Sequence, residues 1–174
     1  VSVAHNAGQV PVYYSHPWGS GWHQSESIGF TDYVDCPHRP RYPFGFGLSY
    51  TSFAYADLEI SREEVPAGES VEIAFTVENT GPVPGDEVAQ LYISDVYASM
   101  TRPVKELAGF ARVHLKPGEK KRLAFTLHTS QLAFLDQDMK WKIEHGQILV
   151  EAAASSEDVR LSGSFRIDGD MWIA

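Results

Sequence analysis

From residue 51 onwards, apolar and polar residues alternate in short runs of the kind that form β-strands. In the clearest run, Val71, Ile73 and Phe75 alternate with polar or small residues, the pattern of a strand with one buried face and one wet face. Segments rich in Gly and Pro, at 79–85 and 116–118, separate such runs and indicate turns. The pattern predicts strands at Phe53–Ile60, Val71–Val77, Val88–Ser94, Leu107–Leu115, Arg122–His128 and Val159–Ile167, a further strand or hairpin from Trp141–Ile143 and Gln147–Ala152, and one helical turn at Ser130–Leu135.

About seven short strands with no long helix are typical of an antiparallel β-sandwich of the immunoglobulin or fibronectin type III kind. The Cys…Trp…Cys pattern of a true immunoglobulin domain is absent, because Cys36 is the only cysteine. Four aromatic residues lie on the strand periods and are predicted to belong to the core of the sandwich: Phe75, Tyr92, Phe125 and Phe165.

Residues 1–50 have a different composition from the rest of the chain. They hold ten aromatic residues, five prolines and six glycines, but only five charged side chains. Such a stretch has no hydrophobic period with which to build its own core. We predict one short strand at Val10–Tyr14 and then an ordered loop, and a loop of about 30 residues is usually functional or braced by a neighbour. The predicted organisation is therefore a loop-rich segment over 1–50, a sandwich over 51–167 and a tail over 168–174.

Five motifs follow one another along the chain. They are Gly8–Tyr14 (GQVPVYY), Tyr42–Thr51 (YPFGFGLSYT), Val88–Asp95 (VAQLYISD), Arg102–Phe110 (RPVKELAGF) and Leu115–Glu119 (LKPGE). In this order they resemble the C-terminal part of glycoside hydrolase family 3 enzymes of the β-glucosidase and β-xylosidase kind. The first two resemble the end of that family's α/β sandwich domain, and the last three resemble its fibronectin type III-like domain.

The resemblance implies that the parent protein is a retaining β-glycosidase cut here to its C-terminal part. In such enzymes one carboxylate attacks the sugar and a second carboxylic acid, roughly 5 Å away, protonates the leaving oxygen. In the family both carboxylates lie ahead of the region matched here, so we assign no catalytic residue and expect the chain alone to be inactive. The implied role is accessory: the region braces the upstream catalytic domains and lines part of the pocket for a β-linked glycoside, with no cofactor and no metal.

Two other functions stay open at the level of sequence. One is a stand-alone carbohydrate-binding or interaction module, and the other is a subunit that completes a split hydrolase. A binding module predicts a row of exposed aromatic residues on one sheet face, whereas the strands at 71–77 and 122–128 place acidic, basic or small residues there.

Three aromatic residues are candidate sugar contacts: Trp18, Trp22 and Tyr33. Flat rings with polar rims suit the apolar C–H faces of sugars, so we expect the loop from His16 to Tyr33 to line the mouth of the substrate pocket. The alternative is that these rings only pack on an upstream domain. In the connector between the two parts of the chain, Tyr42–Tyr50, the residues Gly45 and Gly47 are predicted to permit a tight turn, with Phe44 and Phe46 packed as core.

Other polar residues of the loop carry less chemistry. Asp32 and Asp35 are of the residue type common in turns and caps. A catalytic acid needs a pKa raised by burial, and nothing in the sequence indicates such burial for either residue. A metal site built from His16, His23, His38, Asp32 and Cys36 is not expected, because their spacings do not match the short ligand pairs of zinc sites.

Charge and composition exclude further classes of partner. The net charge of −9 and the lack of a basic run longer than 120–122 argue against nucleic acid, which needs clustered cations. The uncharged first 25 residues contain prolines, glycines and three histidines, which exclude a membrane-spanning helix there. A lone cysteine allows no intrachain disulfide and leaves the compartment open between cytoplasmic and secreted.

Overall fold

The computed structural model describes residues 1–9, 12–17, 37 and 39–173. Within these ranges the chain forms strands joined by turns, with one 3-10 turn at Thr129–Leu132. No helix of the described residues has the length and apolar character needed to cross a bilayer. The strands are β1 (Phe53–Ile60), β2 (Glu64–Pro66), β3 (Ser70–Asn79), β4 (Gly85–Asp95), β5 (Glu106–Leu115), β6 (Lys120–His128), β7 (Phe134–Leu135), β8 (Trp141–Ile143), β9 (Gly146–Ala153), β10 (Val159–Asp168) and β11 (Met171–Ile173).

Two sheets face each other across one hydrophobic core. The first has three strands in the order β1-β3-β6, and the second has five in the order β2-β10-β9-β4-β5. Their pairs are antiparallel except for β2 with β10, which is parallel. Ile73 and Phe75 of β3 meet Leu91 of β4 and Val150 of β9 in this core, and all four are at most 1% exposed. The predicted antiparallel β-sandwich is confirmed.

The strands predicted between residues 53 and 167 are present, with ends that differ by a few residues, and other details differ from the prediction. The helical turn covers only Thr129–Leu132, and the chain then forms β7. The expected tail is wrong for residues 171–173, which form β11 and pair with β8 in a small sheet of order β11-β8-β7. Ile173 explains this, because its side chain packs against the core. Of the strand expected at Val10–Tyr14, the described residues 12–14 are not in a strand; Tyr14 lies in a turn.

The outer face of the three-stranded sheet is polar. Glu72, Thr76 and Glu78 of β3 alternate with the core residues and stand beside Thr126, Arg122 and Lys120 of β6. Lys120 forms an ion pair with Glu78 at 3.0 Å, and Arg122 forms one with Glu59 of β1. These residues therefore form a wet, charged face of the kind the sequence pattern predicts.

A buried polar side chain links the start of the sandwich to the turns at one end. Asn79 is fully buried, and its Nδ2 donates to the carbonyl oxygens of Val83 and Leu115 at 2.8 and 3.0 Å. Its Oδ1 accepts from the Thr51 hydroxyl at 2.6 Å and from the Gly81 amide at 3.0 Å. Because both polar atoms of the Asn79 amide are satisfied, its burial stabilises the turn instead of opposing folding.

At the opposite end of β4, Asp95 lies where the chain enters a loop over residues 96–105. Burial raises the pKa of Asp95 to about 6; Arg102 opposes this rise and the Glu144 carboxylate adds to it. An unfolded aspartate releases its proton near pH ~4. Since the folded protein holds this proton up to about pH 6 and the unfolded chain does not, the contribution of Asp95 to stability is lost as the pH rises through this range.

We therefore expect Asp95→Asn to stabilise the chain at pH 7.5 and to have a much smaller effect near pH 4.5. The gain at pH 7.5 should be about 1 kcal/mol, allowing for the solvent that still reaches this carboxylate. Urea unfolding of both proteins at the two pH values measures it. An equal gain at both pH values would show that the charge of Asp95 is not the cause.

Candidate functional site

The five-stranded sheet has an outer face that residues 12–17 and 42–46 cover in part. On β4, Leu91 and Ile93 point into the sandwich, so Gln90 and Tyr92 lie on the opposite face. Yet Gln90 is 3% exposed and Tyr92 is fully buried. Tyr92 was expected in the sandwich core, which is wrong: it is buried beneath the N-terminal segment. We call this contact, between residues 12–17 and 42–46 and the outer face of β4, the junction.

Aromatic rings form the centre of the junction. Tyr14 stacks on Phe44 with ring centroids 4.3 Å apart and meets Tyr92 edge-on at 5.8 Å. The Tyr14 hydroxyl also accepts a hydrogen bond from the Leu107 amide at 3.2 Å. Leu107 precedes a β-bulge, since Tyr92 pairs with Leu107 but Leu91 pairs with Gly109. The bulge therefore lies where Tyr14 contacts β5, the edge strand of the sheet.

The polar atoms of the junction are also paired. The Tyr92 hydroxyl donates to Gln90 Oε1 at 2.6 Å, and burial raises the pKa of Tyr92 well above its usual range, so it stays neutral. Gln90 Nε2 donates to the carbonyl oxygens of Gly45 at 3.0 Å and Ala154 at 2.8 Å. These bonds connect the connector segment, β4 and the loop after β9 through one side chain.

The connector follows its sequence prediction only in part. Gly45 has a φ of 79°, and a Cβ there would lie 1.9 Å from Gln90 Oε1, so the predicted tight turn needs glycine at this position. Phe44 is half-buried against Tyr14, as a packed ring should be. Phe46 is 45% exposed, so its expected place in a core is wrong: it lines an open groove.

That groove has a volume of about 470 Å³ and runs beside the connector. Phe46, Leu48 and Phe110 line it, and they are 45%, 89% and 67% exposed. Tyr50, at the end of the connector, is completely exposed. Large apolar side chains gathered in this way usually mark a surface that another part of a protein covers.

The candidate sugar contacts Trp18, Trp22 and Tyr33 lie outside the described residues, as do Asp32 and Asp35. Of the five residues weighed as a metal set, only His16 is described; it is 6% exposed, and its carbonyl oxygen accepts from the Val104 amide at 2.9 Å. Within the described ranges, no three His, Cys, Asp or Glu side chains are grouped to hold a metal ion.

The structure adds residues that sequence reasoning did not single out. Tyr14, Gln90 and Lys105 hold the junction, and Lys105 forms an ion pair with Glu151 of β9 at 2.6 Å. One signal was present: Ala89–Ile93 is a nearly continuous apolar run, which indicates a strand covered on both faces. The covering segment itself has no such pattern.

Comparisons with known proteins agree with this architecture. The sequence profile of the family described as fibronectin type III-like domain matches residues 87–156. The chain is 40% identical over 169 residues to a periplasmic beta-glucosidase of Salmonella typhimurium, covering 96% of this chain and 22% of that protein. It is 41% identical over 160 residues to a beta-xylosidase of Formosa agariphila, covering 90% of this chain and 21% of the relative.

Solved structures give the same match. A β-glucosidase from Listeria innocua in complex with gluconolactone has a TM-score of 0.84 and 36% identity, over 97% of this chain and 23% of that one. Beta-glucosidase 3B from Thermotoga neapolitana, in complex with α-D-glucose, has a TM-score of 0.72 and 34% identity, over 78% of this chain and 18% of that one. The chain thus spans about a fifth of the length of its relatives. By its sandwich and by these matches, it belongs to the β-glucosidases and β-xylosidases of glycoside hydrolase family 3, as their C-terminal, fibronectin type III-like part.

Proposed function

We propose that this chain is the accessory C-terminal region of a retaining β-glycosidase, which braces the catalytic domains and lines part of the pocket for a β-linked glycoside. The observation that carries the proposal is the alignment of 96% of the chain with 22% of a protein named as a beta-glucosidase. A relative named as a beta-xylosidase aligns in the same way, so the proposal does not specify which sugar the parent enzyme cleaves.

The exposed apolar side chains support the bracing role. Phe46, Leu48 and Phe110 line one groove beside the junction, and the exposed Tyr50 follows shortly after Leu48 in the sequence. A surface of this kind is stable in water when another domain covers it. The upstream domains of the parent enzyme are the natural partner, because the relatives are about five times longer than this chain.

A stand-alone binding module is less well supported. Its recognition surface should carry exposed aromatic rings on a sheet face. The outer face of the three-stranded sheet instead carries the ion pairs Lys120–Glu78 and Arg122–Glu59. The outer face of the five-stranded sheet is occupied at Gln90 and Tyr92 by the N-terminal segment.

The first prediction from this function is that the purified chain does not hydrolyse nitrophenyl β-glucoside, while the parent enzyme does. The reason is that both carboxylates implied by the resemblance lie ahead of the chain. Release of nitrophenol measures it directly. Turnover by the chain alone that Asp32→Asn or Asp35→Asn abolishes would place the chemistry here and contradict the proposal.

The second prediction concerns the candidate sugar contacts. In the parent enzyme, Trp18→Ala or Trp22→Ala should lower kcat/KM by about tenfold, because losing one ring stacked on a sugar costs about 1–2 kcal/mol. The same reasoning applies to Tyr33→Ala. A matched control is Trp141→Ala, which removes a half-exposed ring of β8 and should leave kcat/KM unchanged.

Thermal unfolding separates binding from packing in these variants. Phe75→Ala, in the fully buried core, should lower the Tm strongly, whereas the tryptophan variants should lower it much less. Unchanged kinetics with a large fall in Tm for both Trp18→Ala and Trp22→Ala would mean that these rings serve packing alone.

A further inference from the structure

The loop over residues 96–105, which joins β4 to β5, holds the N-terminal segment at one defined point. The Val104 amide donates to the His16 carbonyl oxygen at 2.9 Å, and Pro17 forms an isolated bridge with Pro103. On its other side, the Val104 carbonyl oxygen accepts from the Ser94 hydroxyl of β4 at 2.6 Å. The main chain at His16 is therefore linked, through Val104, to β4.

The next residue, Lys105, anchors the end of this loop to the sheet through its side chain. Its Nζ donates to Glu151 Oε2 at 2.6 Å and to the Ser156 carbonyl oxygen at 3.1 Å. It also lies 5.7 Å from the centroid of the Tyr92 ring. The Ser156 amide in turn donates to the Phe44 carbonyl oxygen at 2.9 Å. The ammonium group thus links β9 to the loop after β9, and the Ser156 main chain links that loop to the connector.

The burial of this pair makes it different from the surface ion pairs. The Lys105 and Glu151 side chains are 20% and 15% exposed, whereas Lys120 and Glu78 are 64% and 32% exposed. Exposed pairs contribute little to stability. Removing one partner of a largely buried pair leaves the other charge desolvated and unpaired, so the surrounding chain must rearrange. Without Lys105, Glu151 and the Ser156 carbonyl lose their common donor.

We propose that Lys105 is a positioning residue for the substrate pocket: it fixes the main chain at His16 and Pro17, which directly precede the candidate sugar contacts in the sequence. The inference rests on the function proposed above, because the pocket belongs to the parent enzyme. It goes beyond it by assigning the bracing to one side chain of the sandwich. Changes at Lys105 should therefore alter substrate binding through the position of this main chain.

Hydrogen exchange on the chain itself tests the positional half of the inference. In Lys105→Met, exchange of the Val104 amide should speed up by about tenfold relative to core amides, because its acceptor at His16 is no longer held. Lys105→Arg, which keeps the charge and the donors, should restore much of the protection. The control Lys121→Met, at an exposed position of β6, should leave it unchanged. Val104 protection that is the same in Lys105→Met overturns the inference.

Kinetics of the parent enzyme test the functional half. Lys105→Met should lower kcat/KM for an aryl β-glycoside by about tenfold, mainly through a higher KM. The reason is that a displaced pocket wall weakens the binding of substrate and transition state equally. Ile143→Val serves as a second control, because it removes one methyl group from a buried core side chain at a site away from the junction. It should leave kcat/KM unchanged at a temperature well below both Tm values.

The outcomes separate this inference from the function on which it rests. A parent enzyme without β-glycosidase activity overturns the proposed function, and the inference about the pocket with it. An active parent in which Lys105→Met and Ile143→Val behave alike overturns the inference alone. A tenfold loss confined to Lys105→Met and relieved by Lys105→Arg supports both.

Discussion

The structure depends on the burial of β4 on both of its faces. A strand of a two-layer sandwich normally has one face in the core and one face in water. Here Gln90 and Tyr92 occupy the second face and are almost completely buried, because Tyr14, Phe44 and Gly45 lie over them. The N-terminal segment and the sandwich therefore form one packed unit across the junction.

This constraint explains several features that look unrelated in the sequence. Gly45 is needed because its backbone approaches the Gln90 side chain too closely for a Cβ. At the bulge between Leu107 and Gly109, the Leu107 amide donates a hydrogen bond to the Tyr14 hydroxyl. Lys105, which lies beside the Tyr92 ring, compensates Glu151 on the same covered face. Each feature serves the closure of a part of the sheet face that would otherwise be wet.

The sandwich was predictable because its strands obey a simple physical rule. Alternation in Val71–Val77 and Arg122–His128 reports one buried face, and those strands were predicted within a few residues. The short strands β2, β7 and β11 were missed, since two or three residues cannot display a period. The family itself followed from ordered motifs, which carry more information than composition.

The candidate site was predictable only in outline. That the first 50 residues need a neighbour followed from their many rings and few charges, but the partner face on β4 did not. Tyr92 looked like a core residue because burial on the second face gives the same apolar signal as burial in the core. Lys105 carries no signal of its own, because its role comes from contacts with Glu151 and Ser156 that are distant in sequence.

The central claim, that the N-terminal segment is part of the folded unit, can be tested by comparing the whole chain with one that begins at Thr51. The shorter chain keeps the strands β1 to β11 and should fold, but Tyr92 and Gln90 then face water. Urea unfolding should show a loss of roughly 2–4 kcal/mol, the size expected when one large aromatic side chain and its hydrogen bonds lose their cover. Equal free energies of unfolding for the two chains, to within about 0.5 kcal/mol, would contradict the account, because changes of that size are typical of a surface with no structural role.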